Sequence, residues 1–174
     1  LLIEDLSKYR MGDQIAGCSD EDVSSIITTM SRLHAQHWQS EDLGTMTWIA
    51  PFATLSRIMQ MRFLQTVQDY IKKESVNLSS RQTDMLRWLR ENGIEITEAL
   101  AEASPTLLHG DFRLDNICFD DELDEVILFD WQTMQAGPGG SDLAYFISAS
   151  IPLDTEEDKI DAHLIQYHRE LTEQ

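Results

Sequence analysis

Four side chains lie close together in the second half of the chain and are of types that do chemistry jointly. The segment LLHGDFRLDNICF, Leu107 to Phe119, carries His109, Asp111 and Asn116, and ILFDWQ ends an apolar run on Asp130. One carboxylate and one carboxamide oxygen offered by neighbouring strand ends make a hard-oxygen site, of the kind Mg²⁺ accepts while keeping waters and substrate phosphates. A second carboxylate, Asp111, stands a few residues from Asn116, where it can orient or deprotonate a hydroxyl beside a metal-bound phosphate. Phosphoryl transfer requires that arrangement. The competing reading makes Asp111 and Asn116 turn formers after a strand, and the addition of Asp130 weighs against it. His109 reads as a residue that holds the loop through its ring nitrogens. Arg113 either meets a transferring phosphoryl group or offsets Asp111 and Asp115.

Short strands are needed to present these groups, and from Pro105 the sequence supplies them. Thr106 to Leu108, Ile117 to Phe119 and Val126 to Phe129 are brief apolar runs, with the acidic stretch Asp120 to Glu125 as a hairpin connection. GPGGS, Gly137 to Ser141, has no Lys and runs straight into Asp142, so it reads as a turn and not as a phosphate cradle. Upstream the texture is helical. Ser19 with Asp22 resembles a capping box, and Val23, Ile26, Ile27, Met30, Leu33, His34 and His37 recur at helical steps to about Trp38. Ser40 to Ala50 reads as a loop. Pro51 suits the first turn of a helix whose buried face is Leu55, Ile58, Met59, Phe63, Val67 and Ile71. Ser79 or Ser80 caps the next, with Met85, Leu86, Trp88 and Leu89 as its core side. Gly93 is expected to interrupt that helix and Ile96 to Ala103 to form another. Asp142 to Ser150 and Thr155 to about Leu171 complete the set. The expected fold is α+β, predominantly helical, with a small β element bearing the loop, in a single domain over residues 1–174.

Charge narrows the partners. The 174 residues carry 13 Lys plus Arg against 31 Asp plus Glu, a formal charge of −18. Such a surface repels phosphate backbones and anionic headgroups, which speaks against nucleic acid and membrane. From Ser104 to Asp161 there are two basic and fourteen acidic residues, so Arg113 is nearly the lone cation of that half. The two cysteines, Cys18 and Cys118, lie far apart, without zinc or disulfide spacing. A reducing, cytoplasmic setting is expected. No apolar run approaches the length of a membrane span.

The pattern His109-Gly110-Asp111, Asn116 and then apolar-apolar-Asp130 resembles the catalytic loop and metal-binding Asp of protein-kinase-like enzymes. In detail the chain resembles the aminoglycoside phosphotransferase and choline-kinase-like family of small-molecule kinases, which carry HGD in that loop. LLIEDL is similar to that family's hinge strand, RLHAQHW to its first large helix, and GPGGSDLAYF to its GDPxxDLA segment. The resemblance implies a protein-kinase-like C-terminal lobe, ATP and Mg²⁺, and a small-molecule acceptor. It implies Asp111 as the base, Asn116 and Asp130 as Mg²⁺ ligands, and the backbone of Ile3, Glu4 and Asp5 as the adenine-contacting hinge. Asp142 would accept hydrogen bonds from the catalytic-loop backbone. Trp131 and Gln132 stand where protein kinases have the Phe and Gly of DFG, which disfavours a protein kinase. The family's nucleotide-binding lobe, with its phosphate-covering loop and Lys, is expected to precede the hinge, outside this chain. An acidic lining from Glu41, Asp42, Asp154, Glu156, Glu157 and Asp161 would select a cationic acceptor, with Trp38 and Trp48 stacking on it. The rival is a kinase-like lobe used as a scaffold, which has no need of Asp111, Asn116 and Asp130 together.

Overall fold

The computed structural model describes residues 4–74, 77–152 and 155–173. Leu1 to Ile3 and Asp154 fall outside these. Glu4 to Leu6 form no strand, and the first strand is β1 (Arg10–Met11).

Apolar side chains at helical steps build α1 (Asp20–Gln36), which Ser19 caps by accepting the Asp22 N–H. Its Val23, Ile26, Ile27 and Met30 are buried. The stretch expected as a loop contains a short helix, α2 (Glu41–Thr45), capped by Ser40, before β2 (Ala50–Pro51). Then α3 (Phe52–Lys73) and α4 (Ser80–Ala101) pack as a helical hairpin, with a complete capping box of Ser79 and Gln82 starting the second.

Two expectations for this hairpin are overturned. Gly93 does not interrupt α4; it is buried against α3, where a Cβ would lie 2.0 Å from Gln60 Nε2, so the glycine serves close helix packing. On α3, Val67 and Ile71 are buried, but Ile58 and Met59 are exposed, as are Met85 and Trp88 of α4. Each helix repeats apolar residues around more of its circumference than its partner helix and the sheet can cover.

The site-bearing half contains β3 (Pro105–Leu108), β4 (Ile117–Asp120), β5 (Glu125–Leu128) and β6 (Gln135–Pro138), then α5 (Gly140–Ser150) and α6 (Glu157–Thr172). Three-residue 3-10 turns at Leu114–Asn116 and Trp131–Thr133 sit between the strands. One sheet has the order β1-β4-β5, all antiparallel, with Asp120 opposite Glu125 at the acidic hairpin turn. The other has the order β2-β6-β3, parallel at β2–β6 and antiparallel at β3–β6. The GPGGS turn is therefore corrected: Gly137 and Pro138 belong to β6, where Gly137 pairs with Thr106 and a side chain would strike Phe52, and Gly140 already opens α5.

The main core lies between α1, α5, α6 and the β4–β5 hairpin. Phe112 and Leu114 of the β3–β4 loop are buried in it with Ile117, Phe119, Leu143, Phe146 and Tyr167. Burying one such side chain stabilises by roughly 1.5–3 kcal/mol. In FRLDN the apolar residues alternate with polar ones, so anchoring Phe112 and Leu114 turns Asp111, Arg113 and Asp115 away from the core.

Candidate active site

The loop between β3 and β4 is fixed first through its backbone. Asp142, in the first turn of α5 and 2% exposed, accepts the His109 N–H at 2.7 Å on Oδ2 and the Gly110 N–H at 3.0 Å on Oδ1. Gly110 has φ +83°, and a Cβ there would lie 2.2 Å from Thr133 O, so no other residue fits. The His109 ring bridges two segments. Its Nε2 donates to Phe129 O at 2.8 Å, and its Nδ1 accepts the Asp111 N–H at 3.3 Å. These partners require the neutral Nε2–H tautomer.

The far end of the loop is held by a residue that sequence reasoning missed. Gln14 accepts the Leu114 N–H on Oε1 at 2.9 Å, donates its backbone N–H to Asp115 Oδ1 at 3.0 Å, and donates from Nε2 to Ala149 O at the end of α5. Ser150 also donates to Gln14 Oε1, at 3.3 Å. Nothing in the local pattern around Gln14 distinguishes it, because its partners lie a hundred or more residues away.

Within this frame Asn116 Nδ2 donates to the Asp111 backbone O at 2.9 Å and to Asp111 Oδ2 at 2.8 Å. The Tyr145 hydroxyl, from α5, donates to Asp111 Oδ1 at 3.0 Å, and Arg113 Nε stands 3.4 Å from Asp111 Oδ2. Arg113 also reaches Asp115 Oδ2 with Nη1, at 3.3 Å, and so lies between the two carboxylates. Burial pushes the Asp111 carboxyl up, but the hydrogen bonds from Asn116 and Tyr145 and the charge of Arg113 outweigh it and hold the group below the ordinary carboxylate range. Asp111 is thus an acceptor-only carboxylate at neutral pH. Burial, followed by the hydrogen bond to Asp111, pushes the Tyr145 phenol up.

The residue before Asp130 is tied to Asn116, since Phe129 N–H donates to Asn116 O at 3.1 Å. The Asp130 backbone is left-handed, φ 61° and ψ 60°, a conformation Asp tolerates better than most residues. That turn exposes the carboxylate, and Gln132 Nε2 donates to its Oδ2 at 3.2 Å. Asn116 spends both donors on Asp111, and among the described residues nothing donates to its Oδ1. A carboxamide oxygen and an exposed carboxylate are hard donors. They suit Mg²⁺, which takes few protein ligands and keeps waters or phosphate oxygens on its remaining positions. No group of three or more His, Cys, Asp or Glu able to hold a metal occurs among the described residues.

Behind the loop lies a buried chain of polar groups. His34 of α1 is fully buried, with Nδ1 2.8 Å from the Tyr167 hydroxyl and Nε2 3.4 Å from Asp142 Oδ2. Burial and the nearby Asp142 push the Tyr167 phenol up.

The structure separates other residues that the sequence suggested together. Glu41 and Asp42 open α2, beyond the C-terminal end of α1. Glu156 and Glu157 begin α6 at the other end of α1, where Lys159 Nζ meets Asp20 Oδ2 at 2.9 Å. The length of α1, about 25 Å at 1.5 Å per residue, separates the two groups, so they do not line one pocket. Trp38 and Trp48 are exposed, and Glu4 and Asp5 are exposed at the start of the described residues.

The sequence profile of the ecdysteroid kinase-like family matches residues 1–174. The chain belongs to that family. No curated protein matches it. Its fold is similar to the crystal structure of an aminoglycoside-3'-phosphotransferase of type VIII, with a TM-score of 0.55 and 20% identity over 86% of this chain and 53% of that one. The ecdysteroid kinase-like chain thus spans about half the length of that structure. The mostly helical, kinase-like fold expected from the sequence is the one found. No helix among the described residues is long and apolar enough to cross a membrane.

Proposed function

We propose that this ecdysteroid kinase-like chain is the catalytic lobe of an ATP-dependent phosphotransferase that carries the γ-phosphoryl group to a hydroxyl of a small molecule. The supporting observation is the pairing of an ionised carboxylate, Asp111, with Asn116 at 2.8 Å, with the residue before Asp130 bonded to the Asn116 backbone. In this reading Asp111 accepts the proton of the acceptor hydroxyl as the hydroxyl oxygen forms its bond to the γ-phosphorus and the bond to the ADP oxygen breaks. Asn116 Oδ1 and the Asp130 carboxylate are the atoms that would hold Mg²⁺, which when bound neutralises phosphate oxygens. The hydrogen bonds from Asn116 and Tyr145, with the Arg113 charge, keep Asp111 ionised, and Arg113 would offset phosphoryl charge. His109 and Asp142 keep the loop backbone in place. In this reading the backbone of Glu4 and Asp5 would contact the adenine as part of the hinge, Ile3 lying outside the described residues, and a preceding lobe would cover the phosphates. The free thiols of Cys18 and Cys118 fit a cytoplasmic protein.

The test is transfer from ATP by the protein expressed from its full coding sequence, with hydroxylated steroids, amino sugars and choline as acceptors. The family's name makes a hydroxylated steroid the first to try. Asp111→Asn is expected to lower kcat by roughly 100-fold or more with the melting temperature retained. Undiminished transfer by this variant would remove Asp111 from the role of base.

A further inference from the structure

The two oxygens of Asp111 have different surroundings. Oδ2 accepts from Asn116 Nδ2 at 2.8 Å and lies 3.4 Å from Arg113 Nε. Among the described residues Oδ1 accepts one hydrogen bond, from the Tyr145 hydroxyl at 3.0 Å. A carboxylate oxygen has about two acceptor sites. Among the described residues each oxygen thus accepts one side-chain hydrogen bond; Oδ2 also has the Arg113 cation 3.4 Å away, and Oδ1 keeps a lone pair for a further partner.

The donor on Oδ1 comes from the helix that holds the loop. Asp142 and Tyr145 are three residues apart in α5 and so share one face of it. Asp142 ties down the backbone of His109 and Gly110, and Tyr145 reaches the side chain of the next residue. Packing does not account for this tyrosine. Its neighbours Leu143 and Phe146 are buried in the core, whereas Tyr145 is 40% exposed. What fixes its hydroxyl is the carboxylate.

We propose that Tyr145 is a positioning residue for phosphoryl transfer: it pins the Asp111 carboxylate so that the open lone pair of Oδ1 takes the proton of the acceptor hydroxyl. The proton leaves the acceptor oxygen for Oδ1 as that oxygen bonds to the γ-phosphorus and the bond to the ADP oxygen breaks. The proposal rests on the phosphotransferase reading above.

The experiment compares wild type, Tyr145→Phe and Asp111→Asn in the full-length protein, with ATP and an accepted hydroxyl compound. Removing the Tyr145 hydroxyl is expected to lower kcat roughly tenfold or more while KM for ATP and the melting temperature stay at their wild-type values. Wild-type kcat in Tyr145→Phe, with transfer abolished in Asp111→Asn, overturns the role of Tyr145 and leaves the phosphotransferase reading standing. A loss of kcat matched by a lowered melting temperature and a raised KM for ATP also overturns it, because the hydroxyl would then be supporting the fold. No transfer by wild type, or undiminished transfer by Asp111→Asn, overturns the phosphotransferase reading itself.

Discussion

Among the described residues, Gly110 and Asp130 are the two with positive φ in the loops that follow β3 and β5. At Gly110 both φ, at +83°, and the approach of Thr133 O exclude a side chain. Gly110→Ala is expected to destabilise the fold by about 2 kcal/mol or more, read as a lowered urea midpoint with an unchanged slope. Asp130 takes up the left-handed conformation as an aspartate, with the residue before it fixed on both backbone groups by Asn116 O and His109 Nε2. The identities and spacing of His109, Asp111, Asn116 and Asp130 were legible in the sequence. Tyr145 was not, because its hydroxyl meets Asp111 only when α5 has docked beside the loop.

At the scale of elements, segments remote in sequence grip the β3–β4 loop from both ends. Asp142 at the start of α5 holds His109 and Gly110, while Gln14 joins Leu114 and Asp115 to the end of the same helix. Gln14→Ala leaves the Leu114 N–H without its partner. It is expected to cost about 1–2 kcal/mol and to speed hydrogen exchange at that amide more than at the α1 amides. A second clasp lies just before: Arg10 of β1 bonds Asp22 at 2.8 Å and Asp121 at 3.0 Å, with its guanidinium over the Phe119 ring. Burial pushes the Asp22 carboxyl up, but the Arg10 hydrogen bond, the Ser19 cap and the Arg10 charge hold it below the ordinary range. A carboxyl depressed in the folded state contributes stability above its unfolded value near ~4 and loses it as pH falls through the lower folded value. Arg10→Met is therefore expected to cost only about 0.5–1 kcal/mol at neutral pH, since the pair is partly exposed. The difference from wild type in melting temperature should fade as pH falls through the lowered Asp22 value.

At the scale of the whole molecule, apolar residues divide unequally between the core and the α3–α4 hairpin. Phe146 is fully buried against Phe112, ring centroids 6.1 Å apart, at the base of the β3–β4 loop. Trp88 is 54% exposed although its helical spacing matched that of a core residue. Phe146→Ala is expected to cost about 3–5 kcal/mol and Trp88→Gln less than about 0.5 kcal/mol. Chemical denaturation of the two variants side by side checks both values. The −18 charge is equally uneven. Asp111 and Asp142 are engaged by donors within the fold, whereas the hairpin acids Asp121, Glu122, Asp124 and Glu125 are exposed.

By itself the sequence determined the starts of α1, α3 and α4, the β4–β5 hairpin and the order of the polar residues along the β3–β4 loop. Caps, turn acids and apolar periodicity act over a few residues and can be read from neighbours alone. Tertiary structure alone decided that Gly93 packs instead of breaking a helix, that GPGGS joins a strand to a helix, and that the proposed acidic lining is split between the two ends of α1. It also decided which side chains touch Asp111, Asn116 and Asp142. Those contacts join α1, α5, α6 and the Gln14 segment across tens to more than a hundred residues, and they exist only once burial of the shared core has brought the elements together.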